Sequence, residues 1–201
     1  LKTVAREAID FIREDEDPIE KVVSKLESMQ VDDVPDQIET ISHHRSHAAS
    51  AAYCAPFDPE ASITIDARGE YDSTVLWDQN LERTRTFEYY NSIGYFYTHG
   101  AQYLGYRYGW DAGKVMGLAP YGDYRPEFEE AFEELVDIED GGYDVTRITR
   151  ADDPVALFEE YFGERRNYPA EFEQYHHDFA YHLQQTTADI PSALIRSPCA
   201  S

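Results

Sequence analysis

The stretch Ile41-Ser42-His43-His44-Arg45-Ser46-His47-Ala48-Ala49-Ser50-Ala51-Ala52-Tyr53-Cys54 decides how the rest of the chain is read. Three of the seven histidines fall in the short run from His43 to His47. The alanine-rich part favours a helix, with Ser42 as candidate N-cap. Just upstream, Asp36-Gln37-Ile38-Glu39-Thr40-Ile41 alternates polar and apolar residues and reads as a short strand. On a helix, His43 and His47 lie four apart on one face, one above the other. Two neutral imidazoles so placed can hold one transition-metal ion. His44 points about 100° around the helix and does not join them. The spacing alone is a weak signal, and polar residues hydrogen-bonded at a helix start are the competing reading.

Downstream, Ala61–Asp66 reads as a strand ending in a carboxylate, and Ala67-Arg68-Gly69-Glu70 as a tight connection. Ser73–Trp77 and Arg83–Phe87 read as two more strands about the turn Asp78-Gln79-Asn80, which together suggest an antiparallel section of a mixed sheet. By itself Asp66 is better explained as a turn residue. From Ser92 a tyrosine-rich helix is expected to run to about Tyr108, its rings in the core. Gly113-Lys114-Val115-Met116-Gly117-Leu118-Ala119-Pro120-Tyr121-Gly122 carries three glycines and a proline, which argues against a regular helix. Two readings stand there: a backbone cradle for phosphate with Lys114 adding charge, or a conformationally demanding connection. The Walker pattern is absent.

Further helices are expected over residues 127–137, Ala156–Phe162 and Phe172–Ile190, with a strand at Tyr143–Ile148. His176 and His177 are adjacent and cannot share a helix face, so they make no metal pair. Residues 1–30 read as helical, with apolar stripes at Val4, Ala8, Phe11, Ile12 and at Val22, Val23, Leu26 after Pro18. Residues 191–201 read as an irregular end.

A length of 201 residues suits one domain or two small ones. Forty acidic residues face 17 basic ones, for a net charge of −23, which disfavours nucleic acid and anionic membranes as partners. With 42% hydrophobic and 14% aromatic residues the chain still carries enough apolar mass for a core. Such an acidic, lysine-poor surface suggests adaptation to high salt, where screening relieves self-repulsion. Two cysteines, Cys54 and Cys199, give no disulfide framework, and neither a signal peptide nor a membrane-length apolar run is present, so a cytoplasmic location is expected.

Three motifs in order are more specific than any one. They are His43-His44-x-x-His47-Ala-Ala-Ser-Ala, then Ile65-Asp66-x-x-Gly69-Glu70, then the ten-residue stretch from Gly113 to Gly122. This combination resembles the NodU-type O-carbamoyltransferases from about Gln37 to Gly122, with a weaker continuation to about Gln185. The resemblance implies an α/β fold: an actin-like ATPase (ribonuclease-H-like) domain with a mixed sheet flanked by helices, over residues 1–190. It also implies transfer of a carbamoyl group from carbamoyl phosphate, through carbamoyl adenylate made with ATP and Mg2+, to a hydroxyl of a small-molecule or glycan acceptor. A divalent transition metal, usually iron, would be held by His43, His47 and Asp66. His44 would touch the carbamoyl group and Lys114 the phosphate or adenylate. Gly69, Glu70, Gly113, Gly117 and Gly122 would line the nucleotide side.

The sequence departs from the family's pattern at Ala67, where the family has Gly, and at Ala112, where it has Glu. The family's opening phosphate hairpin and a further metal-binding aspartate are not in this stretch, so it is expected to be a piece of the enzyme, inactive alone. A small-molecule kinase of the same superfamily and a metal-binding remnant are the alternatives. A metallohydrolase fits less well, because no Glu stands beside the histidine pair as in H-E-x-x-H.

Overall fold

The computed structural model describes residues 18–31, 38–107 and 111–196. The apolar stripe expected from Val4 to Ile12, the start of the strand at Asp36 and Cys199 lie outside them. Residues 1–42 and 43–201 form two separate units. In the first, helix α1 (Pro18–Ser28) opens on a proline, whose missing N–H costs nothing in a first turn. It ends with Gln30 at φ 55°, where Val31 N–H donates to Leu26 O (3.2 Å) and Gln30 N–H to Glu27 O (2.9 Å), a Schellman closure. Residues 38–42 are not a strand.

The second unit begins with α2 (His43–Cys54), followed by β1 (Ala61–Ile65), β2 (Asp72–Asp78) and β3 (Arg83–Glu88). Then come α3 (Ile93–Tyr103), α4 (Ala112–Leu118), a 3-10 turn at Ala119–Tyr121 and α5 (Pro126–Leu135). The hairpin β4 (Asp137–Glu139) and β5 (Gly142–Asp144) leads to α6 (Thr146–Thr149), α7 (Pro154–Phe162) and α8 (Gln174–Arg196). The class is α/β, with a three-stranded sheet in the order β1-β2-β3 and the two-stranded β4–β5. Both are antiparallel throughout, so the expected mixed sheet is not found among the described residues. No helix among them is long and apolar enough to cross a membrane.

The three-stranded sheet has two covered faces, because successive side chains alternate. Val75 and Trp77 face α2, where they form a small core with Ala48 and Leu81. Ile63, Leu76 and Phe87 face the other way, against the main core of the helices. That core is aromatic: Phe158 packs on Phe96, Tyr103, Phe132, Phe162 and Phe179, with ring centroids 5.6–6.5 Å apart. Tyr143 ties the sheet to the helical side by stacking on Phe87 at 4.5 Å and donating to the Asn91 carbonyl at 2.8 Å.

Three more sequence expectations change. The Gly-Lys stretch is not irregular: it is α4 running into the 3-10 turn. Glycine weakens a helix by about 1 kcal/mol against alanine, yet fully buried Val115 anchors this one in the core. The strand expected at Tyr143–Ile148 stops at Asp144, whose carboxylate accepts from Thr146 N–H at 2.7 Å and turns the chain into α6. The end expected to be irregular from Pro191 is helical to Arg196, with Ile190, Ala193 and Leu194 buried.

Candidate metal centre

The first turn of α2 has N–H groups with no partner inside the helix. The Glu70 carboxylate takes one of them, accepting from His43 N–H at 2.8 Å. The connection from Asp66 to Asp72 is therefore wrapped around the helix start, and it is pinned there. Asp66 N–H donates to Ser73 O (2.8 Å) and Gly69 N–H to Asp72 O (2.7 Å).

This arrangement places His43 Nε2 2.7 Å from Asp66 Oδ2, His47 Nε2 3.2 Å from His43 Nε2, and His47 Nε2 3.6 Å from Asp66 Oδ2. Two ligand atoms about 2.1 Å from one ion, at tetrahedral or octahedral angles, stand roughly 3.0–3.4 Å apart. The three separations bracket that range, and the donor set of two imidazoles and a carboxylate suits a divalent transition ion with open positions. The side chains are 41%, 56% and 38% exposed for His43, His47 and Asp66, so a small substrate can reach them.

Asp66 is oriented by its neighbours. Its Oδ1 accepts from Ala67 N–H at 2.7 Å, which turns Oδ2 toward the histidines. Burial alone would raise its carboxyl; the hydrogen bond with His43, the one from Ala67 and the nearby imidazoles outweigh it and hold the group below the usual aspartate value. The carboxylate is thus ready to bind a cation.

His44 is held differently from His43 and His47. It is fully buried, and both ring nitrogens are engaged: Nε2 with the Asp72 carbonyl (3.0 Å) and Nδ1 with Thr64 Oγ1 (2.9 Å), which in turn accepts from Trp77 Nε1–H (3.0 Å). His44 is a buried tie between α2, β1 and the 66–72 connection. Gly69 makes room for it, since a Cβ there would stand 2.6 Å from His44 Cδ2. Gly69 and Glu70, expected on the nucleotide side, both lie against the histidine helix.

Sequence reasoning missed Ser92 and Gly94. Ser92 caps α3, donates from its hydroxyl to the Ala67 carbonyl at 2.7 Å, and so clamps the residue next to Asp66. Gly94 lets α3 approach the same turn, for a Cβ there would lie 2.6 Å from Ala67 Cα. The N-cap pattern Ser-x-x was legible, but its target 25 residues away was not.

Lys114 lies on α4, 62% exposed, ion-paired with Asp111 at 2.6 Å and 5.6 Å from the Tyr106 ring. Its hydrogen bond to Asp111 holds the ammonium above the usual lysine value. Among the described residues, nothing lies within 4 Å of a would-be Cβ at Gly113 or Gly117. Gly122 is a packing glycine: a Cβ would collide with the His177 carbonyl at 2.2 Å.

A sequence model of a protein family described as carbamoyltransferase N-terminus matches residues 11–191. The chain is similar to nodulation protein NolNO of Sinorhizobium fredii, 35% identical over 167 residues, which is 81% of this chain and 23% of that protein. It is also 35% identical to nodulation protein NolO of Bradyrhizobium diazoefficiens over 156 residues, covering 75% of this chain and 27% of NolO. An uncharacterized Synechocystis protein, sll1178, matches at 35% over 108 residues, 52% of this chain and 17% of the relative. The chain thus spans about a quarter, or less, of the length of these relatives.

Proposed function

This chain belongs to the carbamoyltransferase family through its N-terminal domain, and from that premise we propose that the whole protein transfers a carbamoyl group to a hydroxyl. The donor is carbamoyl phosphate: water displaces its phosphate to leave carbamate, whose oxygen attacks the α-phosphorus of ATP, bound with Mg2+, and releases pyrophosphate to give carbamoyl adenylate. The acceptor is an alcohol of a small molecule or glycan, which takes the carbamoyl group and releases AMP. The observation that carries this reading is the convergence of His43 Nε2, His47 Nε2 and Asp66 Oδ2 in one half-exposed cluster. These residues would hold a divalent transition ion, iron first. The ion would act as a Lewis acid toward the carbamoyl carbonyl, where negative charge develops during transfer.

The chain's own residues do the rest. Ala67 N–H and the Ser92 clamp aim Asp66, while Glu70 and His44 fix the histidine helix against it. Lys114 and the Gly113–Gly117 side of α4 take the nucleotide side, with the Lys114–Asp111 pair opening to admit it. The same reading assigns the chain to part of an actin-like ATPase fold working in the cytoplasm at high salt, with β1–β3 as one section of a larger sheet.

Two measurements test it. Elemental analysis of anaerobically purified protein should find one metal per chain, and His43→Ala/His47→Ala should lose it; unchanged metal content sinks the assignment. In the full-length protein, exchange of label between ATP and pyrophosphate should depend on carbamoyl phosphate. Phosphorylation of a small alcohol without that dependence would establish the kinase reading instead.

A further inference from the structure

We propose that Arg68 is the anion-binding residue of this centre, receiving the phosphoryl group joined to the carbamoyl carbonyl. The proposal rests on the carbamoyl-transfer reading for the identity of the substrate, but its geometry is independent of the metal.

A chain of net charge −23 repels a phosphorylated substrate, so a local cation must offset that field where the substrate docks. Several cations are already neutralised: Arg83, Lys114, Arg125 and Arg165 each pair with a carboxylate. Arg68 is exposed and has no carboxylate partner among the described residues. It stands two residues after Asp66, so the two backbone positions are separated by at most about 7 Å. The intervening turn is fixed by the Ser92 hydroxyl on the Ala67 carbonyl and by the Gly69–Asp72 hydrogen bond.

The guanidinium is also held in place. It lies 4.9 Å over the Tyr89 ring, which is itself 3.9 Å from the Tyr90 ring. Tyr89 N–H is bound to the Tyr71 carbonyl at 2.9 Å, which secures the platform to the same connection that carries Arg68. A cation–π contact of this kind does not use up the guanidinium's N–H donors, which stay available for an oxyanion. Less side-chain freedom then remains to be lost when the anion binds.

Arg150 provides an internal control. It lies over the Tyr90 ring at 5.1 Å, at the other end of the tyrosine pair, and likewise has no carboxylate partner among the described residues. It shares the cation–π contact but does not stand beside Asp66 in the chain. If stacked arginines here only brace tyrosines, Arg68 and Arg150 will behave alike.

The test is titration of the Zn2+-loaded chain with inorganic phosphate and, separately, with AMP, followed by phosphorus NMR line width. The two probes distinguish an acyl phosphate from an adenylate as the source of the phosphoryl group. Arg68→Ala should weaken binding of at least one probe tenfold or more, and Arg68→Lys by less. Arg150→Ala should stay within twofold, and the melting temperature of Arg68→Ala should match the parent within a few degrees. Wild-type-like binding by Arg68→Ala, equal loss in Arg150→Ala, or no binding by the parent chain overturns the proposal. The metal reading fails separately: if Zn2+ does not bind at His43 and His47 while phosphate binding still needs Arg68, the anion site stands without it.

Discussion

The two faces of the three-stranded sheet are built on different terms. On one side α2 rests on a small core of Ala48, Val75, Trp77 and Leu81, with Ala49 and Ala52 against it. On the other, Phe96, Phe128, Phe132, Phe158, Phe162 and Phe179 fill an interior shared by α3, α5, α7 and α8. The thin side carries the candidate centre, and hydrogen bonds and close backbone approaches hold it in register: Glu70 on His43 N–H, His44 between Thr64 and Asp72, Ser92 on Ala67, Gly94 against Ala67. The thick side carries the stability. Metal-binding groups must stay half-exposed, so they cannot gain from the burial that orders the phenylalanines.

Mutations on the two sides should therefore separate stability from binding. The largest loss is expected for Phe158→Ala, about 3–5 kcal/mol by denaturant unfolding, with metal affinity below the transition unchanged. Reduced metal affinity in folded Phe158→Ala would show that the two sides are not separable.

Next comes Asp178, buried on α8, which accepts from Asp123 N–H (2.8 Å), Gln174 Nε2–H (2.8 Å) and Arg125 Nε–H (2.5 Å). Asp178→Ala leaves these donors without their acceptor and should cost roughly 2–4 kcal/mol, below a fully buried pair because Arg125 is partly exposed. Burial acts to raise its carboxyl, but the bonds from Asp123, Gln174 and Arg125 hold it below the usual aspartate value. Burial lowers the neighbouring His182, whose Nε2 accepts from Arg125 N–H at 2.8 Å. Both groups take up protons less readily folded than unfolded, so stability is full at neutral pH and falls on acidification. The decline should begin near the ordinary histidine value of 6.5 and steepen near the ordinary aspartate value of 3.8. His182→Gln should remove the upper part of that decline in melting temperature against pH; an unchanged profile would refute the assignment.

Gly94→Ala tests the seam between the two sides. Its Cβ meets Ala67 backbone, so the turn or α3 must shift, at roughly 1–3 kcal/mol. Unlike Phe158→Ala, it should weaken metal binding through displaced Asp66. The smallest stability change is expected for His47→Ala, under about 0.5 kcal/mol for an exposed side chain, together with loss of most metal affinity. Those two variants, compared by metal titration and thermal melting, show whether binding and folding divide where the sheet does.

Much of this was legible in the chain itself. The pairing of His43 with His47 follows from the helix period over four residues, and an alanine-rich run makes that helix. The strands from Ala61 to Phe87 follow from alternation and turn residues, and the order of three motifs pointed to the family that the comparisons show. Only the tertiary structure decided that His44 is a buried tie, that Glu70 caps the histidine helix, and that Ser92 and Gly94 hold the turn beside Asp66. It also decided that the Gly113–Leu118 segment is helical, against its propensity. The physical reason is range: sequence patterns report interactions within about a turn or a strand repeat. The contacts that set these roles join groups 20 or more residues apart, whose partners appear only once the sheet has brought them together.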